Sequence, residues 1–242
     1  MRFGYNLRDW RRGLSVYGVK RLYNIAVLQR RLYRNAEKVL DGYFLRVTGD
    51  VDIPSEFVSE HPCGSFAVLN DWVSLASELG TIAPIVYVTV ESAELFERVK
   101  KQVHDANPKA VIGVHGIRHV KFSGAVDAEA QMRECRRYSD WWRFPYLDFS
   151  FGNLMAAKKI FGFDSSVTDG DMFPFRIGGM VEYPISTPTD TYFRGKPVSD
   201  KVVRTYLRIV EQNMSRGRAC TLLFHPNRWT VELMKEMLKV VL

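Results

Sequence analysis

The stretch GYFLRVTGDVD, from Gly42 to Asp52, has the composition of a buried β-strand that ends in two acidic residues. Its aromatic and β-branched residues favour an extended backbone. Asp50 and Asp52 are two positions apart, so their side chains point to the same side of a strand. Two carboxylates this close repel each other unless a positive group lies beside them. The pattern therefore indicates either a cation site or a solvated turn.

Strand and helix patterns alternate along the rest of the chain. Apolar residues recur at helical spacing in the segments 65–78, 93–104, 127–138, 153–161, 200–214 and 230–242. Short apolar runs that are typical of buried strands occupy the segments 82–90, 109–114 and 220–224. This alternation predicts an α/β protein with a mostly parallel sheet. The segment 164–191 is rich in Gly, Pro, Ser and Thr, and we expect it to form a long excursion that walls a site.

Titratable residues follow the predicted strands. His115 and His119 come directly after one strand, and Gly116 between them permits a sharp turn. Imidazoles are common zinc ligands, so the pair is either a metal site or two exposed histidines. His225 follows the last strand, where a histidine can act as a general acid near neutral pH. Because ligands of open α/β sheets bind at the carboxyl ends of strands, we expect these residues to share one site.

The stretch WWRFPY, residues 141–146, combines aromatic residues with a single cation. Arg143 can pair with a carboxylate and keep it ionised, and the backbone N–H of Tyr146 can face a reacting oxygen. The aromatic residues either belong to the core or form a wall on which a sugar stacks. Trp142 and Trp229 are the candidates for such a wall.

In this order, the segments resemble the motifs of the polysaccharide deacetylases, the NodB-homology family of metal-dependent hydrolases. The D-x-D of 50–52, the H-x-x-x-H of 115–119, the R-x-P-Y of 143–146 and the L-x-H of 223–225 are similar to the first, second, third and last motifs of that family. The F-D-S-S of 163–166 is similar to the Y-D-S-S of many members. The resemblance covers residues 42 to 229.

Two positions depart from the pattern of the family. Val51 separates two carboxylates that are usually adjacent, and Gly116 replaces a residue that usually carries a hydroxyl group. The tryptophan-bearing motif of the family has no clean counterpart in this chain.

The resemblance implies a fold and a cofactor. We expect a distorted (β/α) barrel over residues 42–242. The helical periodicity and the basic residues of the first forty residues separately predict a basic amphipathic helical extension over residues 1–41. One divalent metal ion is expected, Zn²⁺ first, with Co²⁺, Ni²⁺ or Fe²⁺ as alternatives. Its protein ligands would be Asp52, His115 and His119.

The resemblance also implies catalytic roles. Asp50 would be the base, Arg143 would orient it, the N–H of Tyr146 would stabilise an oxyanion, and His225 would be the general acid. Trp142 and Trp229 would bind substrate. The carboxylate that supports His225 would be Asp164, with Asp169 and Asp171 as alternatives.

The charge of the chain indicates which partners it could bind. The net charge is +7, and basic residues crowd the first third of the chain. The basic residues have three possible roles: they form a solvated face, they contact anionic lipid or a phosphate-bearing substrate, or they bind nucleic acid. We expect no nucleic-acid partner, because no nucleic-acid-binding motif is present. The residues that would make a peripheral contact with a membrane are Arg11, Arg12, Arg30 and Arg31.

The expected function is hydrolytic removal of an acetyl group from an N-acetylated sugar or a surface-polysaccharide precursor. We expect a cytoplasmic protein, because residues 1–24 lack the continuous apolar core of a secretory signal. The three cysteines are too far apart to indicate a disulfide framework. The alternatives are a C–N hydrolase of the same fold that acts on a cyclic amide or ureide, and a non-catalytic carbohydrate-binding protein.

Overall fold

The computed structural model describes most of the predicted catalytic domain. The residues it describes are 37–39, 45–51, 66–80, 82–168, 173–186, 189–193, 195–225 and 227–241. The predicted helices of residues 1–36 lie outside these ranges, as do Asp52, Asp169 and Asp171.

The described strands form one sheet of nine strands. In chain order they are β1 Glu37–Lys38, β2 Leu45–Val51, β3 Ile85–Val88, β4 Val111–Val114, β5 Trp141–Trp142, β6 Phe163–Asp164, β7 Phe175–Ile177, β8 Met180–Glu182 and β9 Cys220–Phe224. Their order across the sheet is β1-β7-β8-β6-β5-β4-β3-β2-β9. From β8 to β9 every neighbouring pair is parallel, and β7 runs antiparallel between β8 and β1. The predicted α/β fold with a mostly parallel sheet is confirmed.

Helices follow most of the parallel strands. They are α1 Phe66–Leu79, α2 Ala93–Ala106, α3 Ala128–Cys135, α4 Phe151–Ala157, α5 Asp200–Ser215 and α6 Arg228–Val241. Helix α1 contacts α2 and α6, α3 contacts α4, and α5 contacts α6. Among the residues that the structure describes, no helix is both long enough and apolar enough to cross a bilayer.

The sheet curves back on itself. Ile185, which follows β8, forms parallel bridges to Thr168 and to Thr221 of β9, the strand at the other edge. Side chains of β2 and β5 also meet directly, although β3 and β4 separate these strands in the sheet: the guanidinium of Arg46 lies 5.1 Å from the ring centre of Trp141. Such contacts require a curved sheet whose inner face encloses side chains, as the expected distorted barrel has.

Three parts of the structure differ from the sequence prediction. The excursion 164–191 contains the hairpin of β7 and β8, and residues 37–38, assigned to the N-terminal extension, pair with β7. The strands β5 and β6, of two residues each, were also not predicted. Strands this short contain too few residues to establish a period of two.

Candidate active site

The predicted site residues that the structure describes gather at the carboxyl ends of the parallel strands. Asp50 lies near the end of β2, and His115, Arg143 and His225 are the residues directly after β4, β5 and β9. In parallel sheets this edge is where ligands bind. The strand order places β2 between β3 and β9, so Asp50 is central in the group.

Arg143 connects several of these strands from the interior of the sheet. Its side chain is completely buried. Nη1 donates a hydrogen bond to Asp50 Oδ1 (2.8 Å), Nη2 donates to Thr48 Oγ1 (2.7 Å), and Nε donates to the carbonyl oxygen of Ser165 (2.7 Å). The guanidinium also lies 4.1 Å from the ring centre of Tyr87. The structure therefore brings the predicted Arg143 and Asp50 into a direct ion pair, in which the planar guanidinium fixes the carboxylate.

The surroundings of Asp50 keep its carboxylate ionised. Only 4% of the residue is exposed. Burial by itself raises the pKa of Asp50, but the neighbouring His115, Arg143 and His225, together with the hydrogen bond from Arg143, outweigh burial and hold the pKa at about 2. Asp50 is therefore a carboxylate at neutral pH.

His115 is oriented by a backbone hydrogen bond. Its Nδ1 lies 3.0 Å from the carbonyl oxygen of Arg143, and a carbonyl can only accept, so Nδ1 carries the proton. Burial lowers the pKa of His115 below its usual value, which favours the neutral ring. Nε2 then has a lone pair and lies 3.6 Å from Asp50 Oδ2.

His119 lies beside His115 because the backbone turns sharply between them. The two ring centres are 5.2 Å apart. Gly116 has φ of +88°, and a Cβ atom there would lie 2.8 Å from the carbonyl oxygen of Arg118. The turn therefore requires glycine. The ring of Tyr146 lies 4.0 Å from that of His119, and the backbone of Tyr146 is left-handed, with φ of 56°.

These residues fit a divalent metal ion. A metal-binding histidine typically donates its other N–H to a carbonyl or carboxylate, as His115 does to the carbonyl of Arg143. Nε2 of His115 and Oδ2 of Asp50 are both electron-pair donors and lie 3.6 Å apart, and a cation beside them would stabilise this proximity. Within the described ranges no group of three or more His, Cys, Asp and Glu side chains is arranged to hold a metal, and Asp52, the third expected ligand, lies outside those ranges.

His225 is paired with a carboxylate that the sequence did not indicate. Its Nδ1 lies 2.9 Å from Asp190 Oδ1, and its backbone N–H donates to Asp190 Oδ2 (2.5 Å). Asp190 is buried at the start of a short 3₁₀ helix, Asp190–Phe193. The expectation that Asp164 supports His225 is wrong, because Asp164 Oδ1 accepts hydrogen bonds from Ser165 N and Ser166 Oγ instead.

The two tryptophans proposed as a sugar-binding wall pack in the core. Trp142 is completely buried, with its ring stacked on Phe161 at 4.9 Å, so its assignment to substrate binding is wrong. The reason is the alternation of a strand: Trp142 lies on the face of β5 opposite to Trp141 and Arg143. Trp229, at the start of α6, is partly buried and packs against the same core.

Comparisons with known proteins give likenesses of fold. No protein-family model matches the chain, and no curated protein shows a significant match. A 4-alpha-glucanotransferase from Thermococcus litoralis matches with a TM-score of 0.55 and 11% identity, over 85% of this chain and 38% of that one.

Two further solved structures also match the chain. A CE4 family pseudoenzyme from Bacillus anthracis matches with a TM-score of 0.48 and 12% identity, over 83% of this chain and 61% of that one. A polysaccharide deacetylase from Bacillus cereus matches with a TM-score of 0.39 and 12% identity, over 89% of this chain and 60% of that one. The chain thus spans less than two thirds of each of these proteins. These likenesses concern the fold alone.

Proposed function

We propose that the chain is a metal-dependent hydrolase that removes the acetyl group from an N-acetylated sugar. The observation that carries this proposal is the buried cluster of Asp50, Arg143 and His115 at the strand ends. It combines an ionised carboxylate, a cation that fixes it, and a neutral imidazole whose Nε2 lies 3.6 Å from Oδ2 of that carboxylate. A general base beside a metal-ligating imidazole is what metal-assisted hydrolysis of an amide requires.

Asp50 acts as the base in this proposal. Arg143 holds Oδ1, so Oδ2, on the side of His115, is the oxygen that accepts the proton of the attacking water. The bonds from Arg143 to Thr48 and Ser165 fix the guanidinium, and thereby the carboxylate, before substrate arrives. Such preorganisation lowers the barrier because little reorganisation remains at the moment of reaction.

The metal would be held by His115 and His119, with Asp52 as the expected third ligand. A bound ion of this kind polarises a carbonyl oxygen and makes a bound water more acidic. His115 supplies Nε2, since Nδ1 is committed to the carbonyl oxygen of Arg143. Gly116 permits the turn that brings the second imidazole to the same side. The backbone N–H of Tyr146 remains the predicted donor to the oxyanion.

His225 acts as the general acid. Asp190 binds the Nδ1 edge of the ring, so Nε2 is the nitrogen that donates to the departing amine. The Asp190 carboxylate stabilises the ring when it is charged, as a buried carboxylate does for the histidine of a catalytic triad. About a quarter of the His225 side chain, 26%, is exposed, so a substrate can reach it.

The substrate class follows from the same proposal. An N-acetylated sugar presents the acetamide that this chemistry cleaves. A phosphate-bearing or lipid-linked precursor in the cytoplasm would bring its negative charge to the basic residues of the segment 1–41, which we propose as the contact for the membrane surface or the substrate phosphate.

Acetate release from N-acetylglucosamine conjugates tests this function. The purified protein, reconstituted with Zn²⁺ or Co²⁺, should release acetate, and Asp50→Asn should lower kcat/KM by about 10²- to 10⁴-fold because the base is lost. Asp105→Asn makes the same chemical change on the exposed face of α2 and should leave the rate unchanged.

Cyclic imides assayed in parallel separate the alternative chemistry. Ring opening of an imide without acetate release would replace the proposed substrate by a cyclic amide. Binding of the sugars with no turnover of either substrate would contradict hydrolysis and favour a carbohydrate-binding protein.

A further inference from the structure

Asp164 and Glu182 form a buried pair of carboxyl groups that the proposed chemistry does not use. They are register partners across β6 and β8, and both are completely buried. Asp164 Oδ2 and Glu182 Oε2 are buried, and neither has a hydrogen-bond donor among the residues that the structure describes. Each carboxyl group changes the pKa of the other. Two carboxyl groups in this arrangement require a proton between them, because two buried carboxylates repel each other.

The remaining oxygens of the pair bind the segment that follows β6. Asp164 Oδ1 accepts from the N–H of Ser165 (2.8 Å) and from Ser166 Oγ (2.6 Å). Glu182 Oε1 accepts from the N–H groups of Ser166 (3.0 Å) and Val167 (2.9 Å). Three consecutive backbone N–H groups and one hydroxyl group therefore converge on the two acids. This fixes the conformation of residues 165–167.

The same segment holds Arg143. The carbonyl oxygen of Ser165 accepts from Arg143 Nε (2.7 Å), and Ser165 Oγ accepts from Nη2 (3.1 Å). Ser166 Oγ accepts from the N–H of Phe144 (2.9 Å). A continuous series of hydrogen bonds thus runs from the acid pair through Ser165 to Arg143 and from there to Asp50, and Ser166 holds the backbone of the next residue, Phe144.

We propose that Asp164 and Glu182 share one proton, which Glu182 donates to Asp164, and that this protonated pair positions Arg143 through Ser165 and Ser166. The two acids are positioning residues and do not touch substrate. The structural part of the proposal is independent of the proposed function, and its catalytic part rests on that function.

The charges around the pair agree with a retained proton. Burial raises the pKa of Glu182 well above its usual value and that of Asp164 to about 6. Arg143, from β5, lowers the pKa of Asp164, but its guanidinium is already paired with Asp50. The phenol of Tyr87, from β3, is kept neutral by burial, and both carboxyl groups raise its pKa further.

Amide substitutions test the shared proton. In Glu182→Gln the side-chain NH₂ replaces the acidic proton as donor to Asp164, and in Asp164→Asn the NH₂ donates to Glu182. Each single variant keeps one donor between the two groups, so its urea midpoint should stay near that of the wild type. The double variant places two NH₂ groups against each other with no acceptor. Its loss of stability should greatly exceed the sum of the single effects.

The pH dependence of unfolding gives a second readout that needs no activity. The folded state keeps a proton that the unfolded chain releases above the usual carboxyl pKa values of 3.8 and 4.5, so stability falls as pH rises from there through the pKa of about 6 and beyond. Between about pH 5 and 8, the urea midpoint of the wild type should fall more steeply than that of Glu182→Gln, which carries no proton at this position to lose.

The positioning role has its own measurement. In the double variant, assayed at a temperature where it is folded, kcat should fall about tenfold or more with little change in KM, because Asp50 is displaced rather than the substrate. Glu182→Gln alone should retain the activity. Absence of acetate release in every protein would contradict the proposed function and leave the stability pattern intact.

Two results would overturn the shared proton. A double variant as stable as the singles would mean that no donor is needed between the groups. Equal and severe destabilisation by each single amide would mean that a cation, rather than a proton, joins the carboxyl groups.

Discussion

Two arginines inside the curved sheet have different surroundings, and the difference separates its two ends. Arg46, on β2 near the amino ends of the strands, lies 3.8 Å from the ring centre of Tyr183 and 5.1 Å from that of Trp141. Arg143, at the carboxyl ends, also lies over an aromatic ring but donates hydrogen bonds to Asp50, Thr48 and Ser165. The interior is therefore aromatic near the amino ends of the strands and polar near their carboxyl ends.

The amino end of the interior is filled by rings. Trp141 and Phe163, register partners on β5 and β6, stack with ring centres 4.2 Å apart, and Tyr183 stacks on Trp141 at 5.9 Å. Two residues further along β5 and β6 the inward positions carry Arg143 and Ser165. An interior that is packed at one end and polar at the other leaves the carboxyl ends as the place for chemistry.

Replacing each arginine by methionine should give the largest difference between the two ends, measured as the loss in the free energy of unfolding. Arg143→Met leaves the buried carboxylate of Asp50 without its partner, and we expect a loss of about 3–5 kcal/mol in the free energy of unfolding, with no residual activity. Arg46→Met removes a cation over aromatic rings and should cost about 0.5–2 kcal/mol. Urea unfolding monitored by circular dichroism measures both values. Equal losses would contradict the distinction between the two ends.

A smaller effect, on rate alone, should distinguish the two carboxylates considered for His225. Asp190→Asn should lower kcat about 10²-fold or more with KM nearly unchanged, because the charged form of His225 loses its anionic partner. Asp164→Asn should keep kcat within a few-fold of the wild-type value. Asp164 accepts hydrogen bonds from the two serines after β6, and the amide oxygen of the asparagine can accept the same bonds. Steady-state kinetics of the two variants measures both values of kcat. A larger loss in Asp164→Asn than in Asp190→Asn would mean that Asp164 is the carboxylate that supports His225.

The sequence predicts the elements with a strong local pattern. The strand β9 lies at its predicted bounds, 220–224, because five consecutive apolar or β-branched residues end at a histidine. The helix α5 begins at Asp200 as predicted, because Ser199, a residue type that favours the N-cap position, directly precedes it. The strands β5 to β8 have two or three residues each, and their pairing depends on distant parts of the chain.

The candidate site shows the same division. Asp50, His115, Arg143 and His225 were identified because each directly follows or ends a strand within a recognisable motif. Asp190 was missed because it lies in an irregular segment, 35 residues before its partner in the sequence, with no periodic pattern around it. Trp142 was misassigned because adjacent residues of a strand face opposite sides, and the sequence does not reveal which side is the core.

Metal content is the measurement that tests the central claim most directly. After reconstitution with Zn²⁺, elemental analysis of the wild type should find about one equivalent per chain. The His115→Ala/His119→Ala variant should contain none. His104→Gln, a change in a histidine of α2 whose ring bonds to the carbonyl oxygen of Ala110, should retain the metal. Absence of metal from the wild type, or equal metal in the double variant, would contradict a metal-dependent hydrolase at this site.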